Sequence, residues 1–303
     1  MSPAAWIAVD WGTTHLRVWA MDAAGSVSAA ASSDDGMGRL SRDEFEPALL
    51  ALIDGWLAPD RVTPVIACGM VGSRQGWVEA PYRAVPCTPL DGGGFANAPC
   101  HDRRLQVHII PGLKQATPAD VMRGEETQIA GFLAGEPDFD GVLCLPGTHN
   151  KWVRISAGEV VSFQTFMTGE MFALLAGHSV LRHSITTDGW DDAAFIAALD
   201  DALSRPDRIA ARLFSLRAET LLQGLPPEAA RARLSGALIG IELAAARPYW
   251  LGQAVAIIGA TGIGATYATA LSRQGAAPRL LDGDPLTLAG LSAAQASLKE
   301  PTR

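Results

Sequence analysis

Apolar and polar positions along the chain fall into a short list of repeating patterns. Residues 6–10 form an apolar run that ends on Asp10. Gly12, Thr13 and Thr14 follow, and residues 16–20 then alternate in the period of a half-buried strand. Asp22-Ala23-Ala24-Gly25 reads as a turn and 26–31 as a third strand. The spacing predicts a helix over 45–57. A buried parallel strand is expected over 63–68, closed by Gly69-Met70-Val71-Gly72-Ser73. The stretch 77–98 is rich in proline and glycine and is expected as loop or short strand, with another strand at 107–110. Thr117-Pro118 offers a hydroxyl at an N-cap and a proline at the first helical position. That predicts a helix from there, carrying Val121, Met122, Ile129, Phe132 and Leu133.

After Pro137 the opening pattern returns. Residues 142–145 read as a strand, Pro146-Gly147-Thr148-His149-Asn150 as a turn, and 151–155 as a strand. Ala157-Gly158 forms a second turn, and 160–166 a third strand leading to a helix near Thr168. Two copies of one meander-plus-helix unit suggest two similar lobes. The remainder predicts helices at 193–203, 210–222 and 227–246 and a buried strand at 255–258. Gly259-Ala260-Thr261-Gly262-Ile263-Gly264 then leads into a helix reaching 274. A strand at 279–281 and a helix begun by Asp284-Pro285 complete the pattern.

Composition narrows the picture. With 303 residues, 48% hydrophobic and 18% charged, the chain has material for a real core or for two medium domains. The formal charge of −8 and the lack of a long basic run argue against a nucleic-acid surface. None of the four cysteines forms a C-x-x-C pair, and two of them sit in apolar runs, as core thiols do in a reducing compartment. No secretory signal is evident at the N-terminus, so a cytoplasmic location is expected. The stretch 249–272 carries no charge and is long enough to span a bilayer. Its glycines and threonines favour strand, turn and helix instead, so no membrane is expected.

Several segments can carry chemistry. Asp10 at a strand end can hold Mg²⁺, and the backbone of Gly12, Thr13 and Thr14 can face phosphate oxygens. An ordinary hairpin turn is the plain alternative. Gly147, Thr148 and His149 repeat the arrangement, with Lys151 available to neutralise developing charge. Gly259, Thr261 and Gly262 form a glycine-rich turn that can approach a nucleotide. Its order is G-x-x-G-x-G, and too little chain follows it to build a dinucleotide-binding domain, which argues against an oxidoreductase. Glu125 and Glu126 can supply a general base, or simply favour a helix start. Gly69, Met70, Gly72, Ser73 and Arg74 close a strand where a substrate loop belongs, and Arg74 or Arg83 can pair with a carboxylate. Histidines and cysteines form no metal-ligand set.

Taken together, these motifs resemble a known family. The run from Ala8 through Asp10-Trp11-Gly12-Thr13-Thr14 to Trp19 resembles the first phosphate motif of the actin/hexokinase/heat-shock-ATPase superfamily. More closely, the chain resembles the 2-dehydro-3-deoxygalactonokinase family. The segments that carry this are Gly69-Met70-Val71-Gly72-Ser73, Val121-Met122-Arg123-Gly124-Glu125-Glu126-Thr127-Gln128 and Pro146-Gly147-Thr148-His149-Asn150-Lys151-Trp152. Met167-Thr168-Gly169-Glu170 and Leu234-Ser235-Gly236-Ala237-Leu238-Ile239-Gly240 complete the set.

The resemblance implies an α/β fold of two ribonuclease-H-like, actin-like ATPase lobes with an interlobe active-site cleft. One lobe is expected over 1–115, completed by a C-terminal helix at 285–303, and the other over 116–284 with a helical insertion. It also implies ATP-dependent phosphorylation of the 6-hydroxyl of 2-dehydro-3-deoxy-D-galactonate in galactonate breakdown. ATP, Mg²⁺ and a 2-keto-3-deoxy sugar acid are the expected small-molecule partners, and a homodimer is allowed. Galactonate-type and gluconate-type acids differ only in hydroxyl stereochemistry, so both stay open. The acidic roles lie among Asp10, Asp120, Glu125 and Glu126, with Glu125 the first choice for the base. An actin-like sensor that binds nucleotide or sugar acid without turnover is the alternative.

Overall fold

The structure is a computed structural model that describes residues 3–91, 93–186 and 188–299. The chain divides into two compact units. The first comprises Met1–Phe139, Ser156–Ser162 and Gly283–Arg303; the second comprises Asp140–Ile155 and Phe163–Asp282.

The first unit opens with β1 (Trp6–Trp11), β2 (Leu16–Met21) and β3 (Val27–Ser33), followed by α1 (Phe45–Ile53) and β4 (Thr63–Gly69). Short β5 (Tyr82–Ala84) and β6 (Ala96–Asn97) precede β7 (Leu105–Ile109), β8 (Gly112–Gln115), β9 (Asp120–Met122) and α2 (Glu125–Gly135). The main sheet has the order β3-β2-β1-β4-β7-β6, with β1 antiparallel to β2 and parallel to β4. A small sheet, β5-β8-β9, lies outside it.

The strand period sorts β1 onto two cores. Ile7, Val9 and Trp11 pack with Phe45, Leu49 and Ile53 of α1. Trp6 and Ala8 pack on the other side with Ile66, Cys68, Leu291 and Ala294. By the same alternation Asp10 belongs to the second face. It lies one residue before the carboxyl end of β1.

The second unit repeats this order. It holds β10 (Gly141–Leu145), all but the last residue of β11 (Asn150–Ser156) and the end of β12 (Glu159–Phe166), then α3 (Thr168–His178), α4 (Asp192–Ser204), α5 (Ile209–Gln223), α6 (Pro227–Ala245) and α7 (Arg247–Trp250). It continues with β13 (Val255–Ile258), α8 (Thr261–Arg273) and β14 (Arg279–Leu281); α9 (Gly283–Lys299) returns to the first unit. The sheet order is β12-β11-β10-β13-β14, with β10 antiparallel to β11 and parallel to β13. The repeat read from hydrophobic pattern is therefore a repeat of topology. Among the described residues, one α-helix separates β3 from β4 and five α-helices separate β12 from β13.

Two helix pairs meet backbone to backbone, and glycine permits it. A Cβ on Gly131 of α2 would lie 1.9 Å from the Leu286 carbonyl of α9, and one on Gly290 would lie 1.9 Å from that of Thr127. In the second unit α6 meets α4 through Gly236, whose Cβ would lie 2.4 Å from the Phe195 carbonyl.

One expectation is corrected. No helix starts at Thr117-Pro118. Residues 112–122 instead form the antiparallel pair β8–β9, in register Leu113↔Met122. Leu113 and Met122 are buried while Val121 is 51% exposed, an alternation of period two rather than 3.6. The helix begins at Glu125, so Asp120 lies on a strand and outside its first turns. The uncharged stretch 249–272 folds as the end of α7, β13 and most of α8, and no helix among the described residues is long and apolar enough to cross a membrane. Residues 300–303 of the expected C-terminal helix lie outside the described residues.

Candidate active site

In the first unit the chemistry gathers at the carboxyl ends of β1 and β4. Arg17 faces Asp10 across the β1–β2 ladder, and Cys68 faces it across β1–β4. Asp10 Oδ2 accepts from Arg17 Nη2 at 2.5 Å and from Nε at 3.2 Å. Its Oδ1 lies 3.7 Å from Cys68 Sγ. Arg17 Nη1 donates to Asp284 Oδ1 at 2.6 Å, so one guanidinium ties β1, β2 and the start of α9. Burial, then the Asp10 and Glu126 charges, push the Cys68 thiol well above its ordinary pKa, so it stays neutral.

The turn after β1 is closed by Gly12 N donating to the His15 carbonyl at 3.0 Å, and Thr13 and Thr14 are exposed. A segment missed by the sequence reading braces it. Met37 N donates to the Gly12 carbonyl and Gly38 N to that of Thr13. A Cβ on Gly36 would lie 2.2 Å from the carbonyl carbon of Thr14, so only glycine fits there. The spacing Gly36-Met37-Gly38 was the available signal.

Gly69 ends β4 at φ +91°, and its Cβ would lie 2.7 Å from the Trp11 carbonyl. Gly124, at φ +106°, caps α2 with its Cβ position 3.4 Å from the Gly69 Cα. These glycines bring the end of β4 against the start of α2. Met70–Gly72 is a single 3-10 turn, with Gly72 and Ser73 buried and Arg74 exposed. Arg83 is paired with Asp91 at 2.8 Å. Arg123 is buried instead, stacked 4.3 Å over the Tyr82 ring and donating to the Ala80 carbonyl.

Both glutamates at the start of α2 bend back onto the backbone. Glu125 Oε2 accepts from Arg123 N at 3.0 Å, and Glu126 accepts from Gly124 N through both oxygens, at 2.9 and 2.7 Å. Their surroundings differ. Glu126 is fully buried, and burial, followed by the neighbouring Glu125 charge, pushes its pKa up to about 8. Glu125 is partly exposed. Asp120, on β9, accepts from the backbone of Val121.

In the second unit Gly147, Thr148 and His149 are exposed at the β10–β11 turn. Asn150 locks that turn from below, its Oδ1 accepting from Gly147 N at 2.7 Å. His149 pairs with Glu170 at 2.6 Å. Lys151 is buried on β11 and its Nζ donates to the His149 carbonyl. Gly259 follows β13, with its Cβ position 3.3 Å from Pro146, and Thr261 begins α8. Gly147 and Gly262 line one cavity of about 360 Å³ together with Thr168, Phe172, Trp190 and Arg231. Sequence reasoning missed Trp190 and Arg231, because only the fold of α3 to α6 brings them to the turn. Among the described residues, no group of three or more His, Cys, Asp or Glu side chains is arranged to hold a metal ion.

Two sheets of one order, each with a glycine-hydroxyl turn after its first strand, define an actin-like ATPase fold of the sugar-kinase type. The activator of 2-hydroxyisocaproyl-CoA dehydratase from Clostridium difficile, solved with bound ADPNP, shares the fold at a TM-score of 0.50 and 11% identity, with 98% of each chain covered. A crystal structure of a Sinorhizobium meliloti protein assigned as a 2-dehydro-3-deoxygalactonokinase matches at a TM-score of 0.90 and 39% identity, covering 98% of both chains. A Rhizobium meliloti relative with the same assignment is 42% identical over 95% of each chain. The 2-dehydro-3-deoxygalactonokinase of Escherichia coli is 35% identical over 95% of this chain and 96% of its own. The 2-keto-3-deoxy-galactonokinase family profile matches residues 10–294, and the chain belongs to that family. It is therefore a kinase, and membership implies ATP as cosubstrate and a sugar as the other small-molecule partner.

Proposed function

We propose that the chain transfers the γ-phosphoryl group of ATP to the 6-hydroxyl of 2-dehydro-3-deoxy-D-galactonate, a step of galactonate breakdown in the cytoplasm. The observation that carries the reading at the level of the site is the 360 Å³ cavity of the second unit, rimmed by the Gly147 turn and the first turn of α8. Its size suits a nucleoside. Exposed backbone at Gly147, Thr148 and His149 and the amino end of α8, at Thr261 and Gly262, offer N–H groups to phosphates. Phe172 and Trp190 offer ring faces to a base.

In the first unit the Gly12, Thr13 and Thr14 turn is the second phosphate element. The residues fit Mg²⁺ held mainly by the nucleotide. Arg17 occupies one oxygen of Asp10, no three-ligand cluster is present among the described residues, and Mg²⁺ is usually bound through one or two carboxylates plus phosphates and water. Asp10 is the residue that would hold it. When bound, the ion neutralises charge on the β- and γ-phosphate oxygens.

Glu125 orients or deprotonates the sugar hydroxyl, and Glu126, buried behind it, fixes the Gly124 backbone. Gly69, Met70, Gly72, Ser73 and Arg74 form the sugar-acid loop, and Lys151 adds positive potential beneath the Gly147 turn. Nothing in the site favours a sensor without turnover.

A coupled assay of ADP release tests the reading on a panel of 2-keto-3-deoxy acids. Acid-dependent release with the galactonate-type acid as the best acceptor is expected. Release that ignores the acid, or a gluconate-type acid as the best acceptor, overturns it. Sedimentation of the purified chain reads whether it forms a homodimer.

A further inference from the structure

Glu242 is a buried carboxylate that the chemistry above leaves unused. It sits on α6 and is 1% exposed. Its Oε2 accepts from Asn150 Nδ2 at 2.7 Å and from the Tyr267 hydroxyl at 2.6 Å, and its Oε1 accepts from Trp152 Nε1 at 2.8 Å. The Thr168 side chain bonds to it as well. Burial raises the carboxyl above its usual pKa, and these four hydrogen bonds offset only part of that rise.

Three of the four partners, Asn150, Thr168 and Tyr267, line the 360 Å³ cavity, whereas Glu242 does not. They come from three elements: β11, the first residue of α3, and α8. Asn150 passes the constraint on. Its Oδ1 is taken by Gly147 N, so its amide group must turn towards Glu242. The start of α3 is held to the same turn, because Glu170 N donates to the Thr148 carbonyl and a Cβ on Gly169 would lie 2.1 Å from the Gly147 carbonyl.

We propose that Glu242 is the positioning residue of the nucleotide site: through Asn150, Thr168 and Tyr267 it fixes the Gly147 turn and the α3 and α8 walls at the spacing ATP needs, without touching ATP. The inference rests on the cavity being the ATP site. The role requires a group that only accepts. A carboxylate can take all four bonds, but an amide cannot. Whichever way a glutamine is turned, its NH₂ meets either Trp152 Nε1–H or the Asn150 amide N–H. An isosteric change therefore suffices to disturb the site, and a polarity swap should mend it. In the pair Asn150→Asp with Glu242→Gln, the new aspartate accepts from both Gly147 N and the glutamine NH₂.

The test is calorimetric titration of ATP into the full-length chain, with no sugar acid present, followed by steady-state kinetics. Glu242→Gln should weaken ATP binding at least tenfold and raise the KM for ATP in step, while the KM for the sugar acid moves less than twofold. The double variant should recover at least threefold of the lost affinity. Unchanged ATP affinity in Glu242→Gln, equal loss in the double variant, or equal rises in both KM values overturn the inference and leave the kinase reading standing. Failure of the unaltered chain to bind ATP overturns both. Should Glu242→Gln not fold, Tyr267→Phe removes one donor from Oε2, and an ATP affinity within twofold of the unaltered chain overturns the inference.

Discussion

Arg17 donates two hydrogen bonds to a single oxygen of Asp10, from the position directly opposite it in the β1–β2 ladder. The guanidinium thereby holds one side of the carboxylate and leaves Oδ1 towards Cys68 and the end of β4. Since Arg17 also holds Asp284, it keeps a counter-charge if Asp10 is neutralised.

Asp10→Asn should therefore cost turnover far more than stability. We expect kcat to fall by about 10²-fold or more, the scale of losing an aligned electrostatic group, with a melting temperature within a few degrees of the unaltered chain. Steady-state kinetics at saturating Mg²⁺ together with thermal unfolding check it. Turnover like that of the unaltered chain would remove Asp10 from the reaction.

Glu125→Gln should lower kcat by about 10²-fold or more, as loss of a general base does, with ATP affinity nearly unchanged. Glu126→Gln should lower it less, because the side chain is fully buried and spends both oxygens on Gly124 N. A larger kcat loss in the Glu126 variant exchanges the two roles.

Glu126 also sets a pH dependence. With its pKa raised to about 8, the folded chain keeps a proton that the unfolded chain releases near pH 4.5. Between those values the native state binds more protons, so stability falls as pH rises, by up to about 1.4 kcal/mol per pH unit. Glu126→Gln removes the titration. Urea unfolding at pH 5.5 and pH 7.5 should show a smaller drop in the variant than in the unaltered chain. Equal drops would mean that Glu126 is ionised in the native state.

Gly131→Ala and Gly290→Ala test the α2–α9 contact. Each adds a Cβ that would lie 1.9 Å from a backbone carbonyl oxygen, so the helices must part. Overpacking of this kind costs about 1–3 kcal/mol, and denaturant midpoints should fall accordingly. A gain in stability, as expected for Gly→Ala in an open helix, would show that the helices are not in contact.

The sequence made some features plain and hid others. Hairpins at β1–β3 and β10–β12 were legible because period-two alternation and glycine turns are local properties. The Thr117-Pro118 helix start was misread because its cap signal is also local, whereas the β8–β9 pairing that overrides it is a matter of register between segments. Trp190 and Arg231 were invisible as site residues for a related reason: each owes its place to distant elements. Glu242 lies within the predicted helix 227–246 with no local signal to single it out, and only the convergence of β11, α3 and α8 on it shows its place.

The return of α9 to the first unit has a consequence for synthesis. Trp6, Ala8, Ile66 and Cys68 are covered by Leu291 and Ala294, which leave the ribosome long after them. Asp284, too, reaches Arg17 only across a sequence separation of 267 residues. Until then a nascent first unit carries an uncovered apolar sheet face and a carboxylate-guanidinium pair without its third member. Such a chain must wait, exposed to chaperones or to association with its neighbours, for α9.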